Sequence, residues 1–130
     1  MSLLKPTPGE LVDRLIIVDL KFVYTLDAEQ KEVLREEHLE LYDRINEVKN
    51  KLIEDRQVEF NKVSGCLVQI NSDLWEEEDK IRFFIKQGME SLIARSGKQI
   101  VVLNDQRRRL VAELDRLTGF DKVSDRKVYT

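Results

Sequence analysis

Cysteine is nearly absent, Cys66 being the one thiol in 130 residues, so no disulfide can close within the chain. Proline occurs only at Pro6 and Pro8, and glycine five times. A many-stranded β fold would have too few turn formers for its corners. The single histidine, His38, excludes a histidine-built zinc site, and there is no Gly-rich phosphate loop. No apolar run approaches the ~18 residues of a membrane span. The opening Met-Ser-Leu-Leu-Lys is too short an apolar run for a secretory signal, which leads us to expect a reduced, cytoplasmic setting. Neither sign of charge dominates: 22 Lys and Arg stand against 25 Asp and Glu, a formal net charge of −3. That balance gives no reason to expect a nucleic-acid or membrane partner.

What remains is long helical periodicity in one domain covering residues 1–130. Thr7-Pro8-Gly9-Glu10 reads as a helix start, with Thr7 as the cap, Pro8 where its missing N–H does no harm and Glu10 closing a capping box. Leu11, Leu15, Val18 and Phe22 follow as a buried stripe, with Asp27 as the next cap. A second seam takes Leu34, His38, Leu41, Ile45, Val48 and Leu52. The polar Glu54-Asp55-Arg56-Gln57 carries the turn into a third helix, whose seam is Val63, Leu67, Ile70, Leu74, Glu77, Ile81 and Phe84. Ser64-Gly65 reads as a weak or close-packing point in it. A fourth seam runs through Leu92, Ser96, Ile100, Leu103, Arg107, Leu110, Leu114 and Leu117 to Thr118-Gly119, where glycine suits a left-handed cap. The spacing predicts helices over about 8–26, 28–54, 58–86 and 90–118, with a polar, extended tail over 120–130 that lies across the bundle or a partner chain. Joined by short turns, they make an all-α antiparallel four-helix bundle, up-down-up-down.

Three seam seats, His38, Glu77 and Arg107, are ionisable where packing would choose leucine. Folding the helices back on one another brings His38 level with Asp73 and close to Asn71, with Asp19 within a turn. Arg107 falls near Ile70 and Asn71, about two turns from Glu77, so Asp73 or Glu78 is its nearer expected partner. One reading of this polar cluster is structural, fixing the register of the bundle. The other is a pocket between helices for a small polar or anionic ligand. Of the basic stretch Arg107-Arg108-Arg109, one arginine is expected inside and the rest on a solvated face. Trp75 reads as a packing residue.

Glu36-Glu37-His38-Leu39-Glu40 followed by Glu76-x-x-Asp79 looks like the metal-binding carboxylate set of MazG-like all-α nucleotide pyrophosphohydrolases. Carboxylates three and four apart share a helix face, so Glu37, Glu40, Glu76 and Asp79 would hold Mg²⁺ against a phosphate chain. The gap between the halves is longer than that family's, and with 25 acidic residues in the chain a solvated acidic face is the preferred explanation.

A second resemblance covers more of the chain. Thr7-Pro8-Gly9-Glu10-Leu11-Val12-Asp13-Arg14-Leu15, Val18-Asp19-Leu20-Lys21, Leu74-Trp75, Glu78-Asp79, Ile81-Arg82 and Leu103-Asn104-Asp105 with Arg107 resemble an uncharacterised bacterial and phage family of small helical proteins. That family reads approximately TPGELVDKLTILEIK, then LWxIEDxIR, then TNDxR. The resemblance implies a fold and a set of polar positions without an activity. Asp19 stands where the family tends to have glutamate, and Glu77 where an apolar residue is usual. The resemblance therefore points to Asp19, Lys21, Glu78, Asp79, Arg82, Asn104 and Arg107 as ligand-binding candidates, and the seam adds His38. The expected protein is a non-enzymatic interaction or small-ligand-binding module without a resident cofactor. We expect a homodimer, since narrow seams leave apolar surface for a second copy. The pyrophosphohydrolase is the alternative.

Overall fold

The structure, a computed structural model, describes residues 5–120. Among them are four helices and no strand: α1 (Pro8–Tyr24), α2 (Ala28–Asn50), α3 (Glu54–Gln87) and α4 (Glu90–Leu117). The expected tail lies outside the described residues beyond Phe120.

The start of α1 is built as its sequence implies. Thr7 Oγ1 accepts from the Glu10 N–H at 3.2 Å, and Glu10 Oε1 accepts from the Thr7 N–H at 2.8 Å. Both members of this capping box satisfy backbone donors that the first turn would otherwise orphan. Thr7 is almost wholly buried, so Thr7→Ala should cost about 1–2 kcal/mol, read as a lower denaturant midpoint at unchanged slope. α1 stops two residues earlier than expected, at Thr25, whose backbone is extended and whose hydroxyl donates to the Lys21 carbonyl at 2.6 Å. Asp27 then caps α2 by accepting from the Gln30 N–H.

The turn between α2 and α3 is a correction. It spans residues 51–53 rather than 55–57, because Glu54 and Asp55 belong to the first turn of α3, where carboxylates suit the positive end of a helix. Leu52 packs against the core from within the turn, and Gln57 Nε2 donates to its carbonyl at 2.9 Å. α3 ends as expected at Gly88 (φ 67°), and Gly119 (φ 82°) follows α4 in the same left-handed region.

The helices run up-down-up-down, though they do not form an even square. α1 packs against all three others: along α2, antiparallel to α4 through Gly9–Asp115 and Asp13–Arg107, and across α3 through Asp13–Asn71 and Tyr24–Trp75. α2 touches α3 only slightly and has no close backbone approach to α4 among the described residues. α1 is therefore the hub, which explains its wide apolar arc: Leu11, Val12, Ile16 and Val18 are all buried, and they point to more than one neighbour. Leu67 and Leu114, on seams of the long α3–α4 hairpin, are fully buried beside them.

The seams are where spacing puts them. Every residue of the α2, α3 and α4 seams is buried or half-buried, His38, Glu77 and Arg107 included. α3 has 34 residues, about 51 Å, against 17 in α1, so the far end of the α3–α4 hairpin projects past α1 as a two-helix finger. Phe83, Ile85 and Met89 are exposed there. Ser64-Gly65 does not mark close packing, since nothing lies within 4 Å of where a Gly65 Cβ would stand.

Candidate ligand-binding groove around Asp13 and Arg107

The charged seat at Arg107 is balanced by Asp13, a residue the seam analysis did not single out. Arg107 Nε donates to Asp13 Oδ1 at 2.9 Å and Nη2 to Oδ2 at 2.5 Å, a two-pronged pair. Asn71, nearly wholly buried on α3, donates its Nδ2 to the same Oδ1 at 2.9 Å. One carboxylate thus ties α1 to both α3 and α4. Side-chain exposure is 14% at Asp13 and 31% at Arg107. The Asp13 hydrogen bond raises the Arg107 pKa above its ordinary value against the opposing pull of burial, and the charges of Asp13 and Glu78 add to the rise. Arg107 stays protonated.

The partners expected for Arg107 were Asp73, Glu78 or a distant Glu77. Asp73 instead accepts from Gln69, and Glu78 acts only through its charge. Glu77 has its own partner: Oε1 accepts from the buried Ser96 hydroxyl at 2.7 Å, while Lys80 Nζ lies 3.8 Å from Oε2. The two non-leucine seats of α3 and α4 at this level therefore face each other. His38 does not meet Asp73, which accepts from Gln69; its partner is Asp19, expected within a turn of it, with Nδ1 2.7 Å from Asp19 Oδ1 and both side chains more than a third exposed. The expected single cluster is three separate polar contacts.

Two grooves meet at the Asp13–Arg107 pair. One, about 430 Å³, lies over α4 and is lined in part by Thr7, Asn104, Arg108 and Asp115. The other, about 390 Å³, lies between α1, α2 and α4 and is lined by Arg14, Lys21 and Glu37 besides Glu10, Asp13 and Arg107. Of the expected site residues, Arg107 is therefore joined by Asn104 in the first groove and by Lys21 in the second. Glu78, Asp79 and Arg82 do not join them as groove walls: all three are exposed, and Arg82 pairs with Asp79 one helical turn away. Asp19 and His38 line a different recess with Phe22, Leu34 and Arg35.

The metal alternative does not fit the residues present. Glu37, Glu40, Glu76 and Asp79 are all exposed, and among the described residues no three carboxylate, imidazole or thiol side chains gather as a cation would require. Their helical spacing is right, but the helices carrying them barely approach each other. Of the basic stretch, Arg107 turns inward, Arg108 pairs with Asp105, and Arg109 is exposed. Cys66 is exposed, and no helix among the described residues is long and apolar enough to cross a membrane.

Comparison with known proteins adds no assignment: no family model, curated protein or solved structure matches the chain. The arrangement itself offers fixed donors and acceptors on a rigid three-helix junction. A half-buried guanidinium already satisfied by one carboxylate marks a binding wall more readily than a proton-transfer centre.

Proposed function

We propose that this protein is a non-enzymatic binding module that takes a small polar ligand with an anionic group in the groove beside Asp13 and Arg107. The observation that supports it is the state of the groove's cations. Arg107 is neutralised from within the fold, whereas the charged side-chain ends of Arg14 and Lys21 on the same walls have no hydrogen-bond or ion-pair partner among the described residues. An anion entering the groove would meet both, and Glu37 across from them offers an acceptor for a donor on the same ligand. The resemblance to the small helical bacterial and phage family agrees with a binding role, because Lys21, Asn104 and Arg107 of its pattern all reach these grooves. We place the protein in the cytoplasm as a homodimer, its exposed hairpin end supplying the contact through Phe83, Ile85 and Met89.

Thermal melts against a panel of small carboxylates, phosphates and nucleotides, with and without Mg²⁺, test the reading. A ligand at a hundred times its Kd should add about 2.7 kcal/mol of stability. Arg14→Ala with Lys21→Ala should abolish that shift while leaving the unliganded protein within about 0.5 kcal/mol, as both side chains are exposed. Release of pyrophosphate from a nucleotide, or a shift that survives the double substitution, would remove the proposal.

A further inference from the structure

A second recess lies on the opposite side of α1 and is of another kind. Because α2 and α3 diverge from their connecting turn, a cleft of about 250 Å³ opens between them. Val12, Leu15 and Ile16 of α1 form its floor. Tyr42 on α2 and Val68 on α3 form its walls, 49% and 47% exposed. At Asp19 it meets the 210 Å³ recess under Phe22, so the trough follows α1 from Val12 to Phe22, about 15 Å at ~1.5 Å per residue. Three turns of an incoming helix would cover that floor.

The walls differ in charge. Lys31, Arg35 and Lys49 lie on the cleft side of α2, whereas Glu29, Glu36, Glu40, Asp43 and Glu47 fall on its other faces at 100° per residue. Arg35 is paired with Glu32, and Asp19 with His38. Lys31, above the Phe22 ring, and Lys49, beside Phe60, have no carboxylate in ion-pair reach among the described residues. On α3, Phe60, Asn61, Ser64 and Val68 give the other wall no charge.

From these observations we infer that the α2–α3 cleft is the docking groove for an amphipathic helix from another protein, its apolar stripe lying on α1 and acidic side chains near both ends meeting Lys31 and Lys49. Those two lysines are 18 residues apart on α2, about 27 Å, which sets the partner helix at roughly five turns.

The probe is a fluorescein-labelled synthetic peptide of 20 residues, with leucines at helical i, i+3, i+4, i+7 spacing and glutamates flanking them at both ends. A second peptide carries lysines for the glutamates. Anisotropy titration against the full chain should show the glutamate peptide binding at least tenfold more tightly. Val68→Glu should abolish that binding, and Tyr42→Glu repeats the test should Val68→Glu fail to fold. Lys31→Glu with Lys49→Glu should turn the preference towards the lysine peptide. Four results would each overturn the inference: no binding of either peptide, equal binding of the two, a dimer in sedimentation that Val68→Glu dissolves, or charge-dependent binding to phosphatidylserine vesicles in place of the peptide. The second-copy result leaves the Asp13–Arg107 groove and its ligand shift untouched.

Discussion

Asp13→Ala should lower the melting temperature by about 10 °C, corresponding to roughly 3 kcal/mol in a chain of this size. The cost comes from what is left behind. Arg107 loses a two-pronged carboxylate and Asn71, nearly wholly buried, loses the acceptor of its amide. Removing one member of such a network strands the others, which is worse than removing all of them. Partial exposure lets water reach Arg107 and keeps the penalty below that of a fully buried orphaned charge. The triple variant Asp13→Leu, Asn71→Leu, Arg107→Leu should therefore recover most of the lost stability. Arg109→Leu, on the exposed side of the same helix, should change it by no more than about 0.5 kcal/mol. Equal melting of the Arg107→Leu and Arg109→Leu proteins would contradict the role given to Arg107.

That network also shows where the sequence was legible. Seam spacing found the inward positions of α2, α3 and α4, including the charged Arg107 and Glu77, because each of those helices has one dominant buried face. Thr7-Pro8-Gly9-Glu10 marked its helix start because a capping box has its own local chemistry. Asp13 escaped because α1 is buried on several sides, so no single stripe exposes a carboxylate as an interruption. A helix whose apolar arc holds Leu11, Val12, Leu15, Ile16 and Val18 should prompt a search of all its polar residues for partners. The α2–α3 turn was displaced for a different reason. With neither glycine nor proline there, only the position of Glu54 and Asp55 distinguishes the end of one helix from the start of the next, and carboxylates favour the start. Sequence spacing could put Glu37 and Glu40 on a common face, but only the divergence of α2 from α3 decides that Glu76 and Asp79 cannot join them.

Gly9→Ala should be comparably severe, costing about 3 kcal/mol, although it adds a single methyl group. A Cβ at Gly9 would stand 2.3 Å from the Val111 carbonyl oxygen and 2.9 Å from Asp115 Oδ1. The first obstacle is backbone and cannot rotate away, so α1 would have to lift off α4, lengthening the 2.7 Å hydrogen bond from the Gly9 N–H to Asp115. Gly65 and Gly97 supply the contrast. Each stands inside a helix with open space where its Cβ would be, so alanine at either should stabilise the isolated chain by about 0.5–1 kcal/mol. A Gly9→Ala protein melting within 2 °C of the parent, about half a kcal/mol, would refute the close approach of α1 to α4. The same approach places Asp13, one turn along α1, against Arg107. Lifting the helix at Gly9 should therefore already loosen that pair, and the double variant Gly9→Ala, Asp13→Ala should cost less than the sum of its parts. Full additivity would mean that the pair holds its geometry independently of the glycine contact.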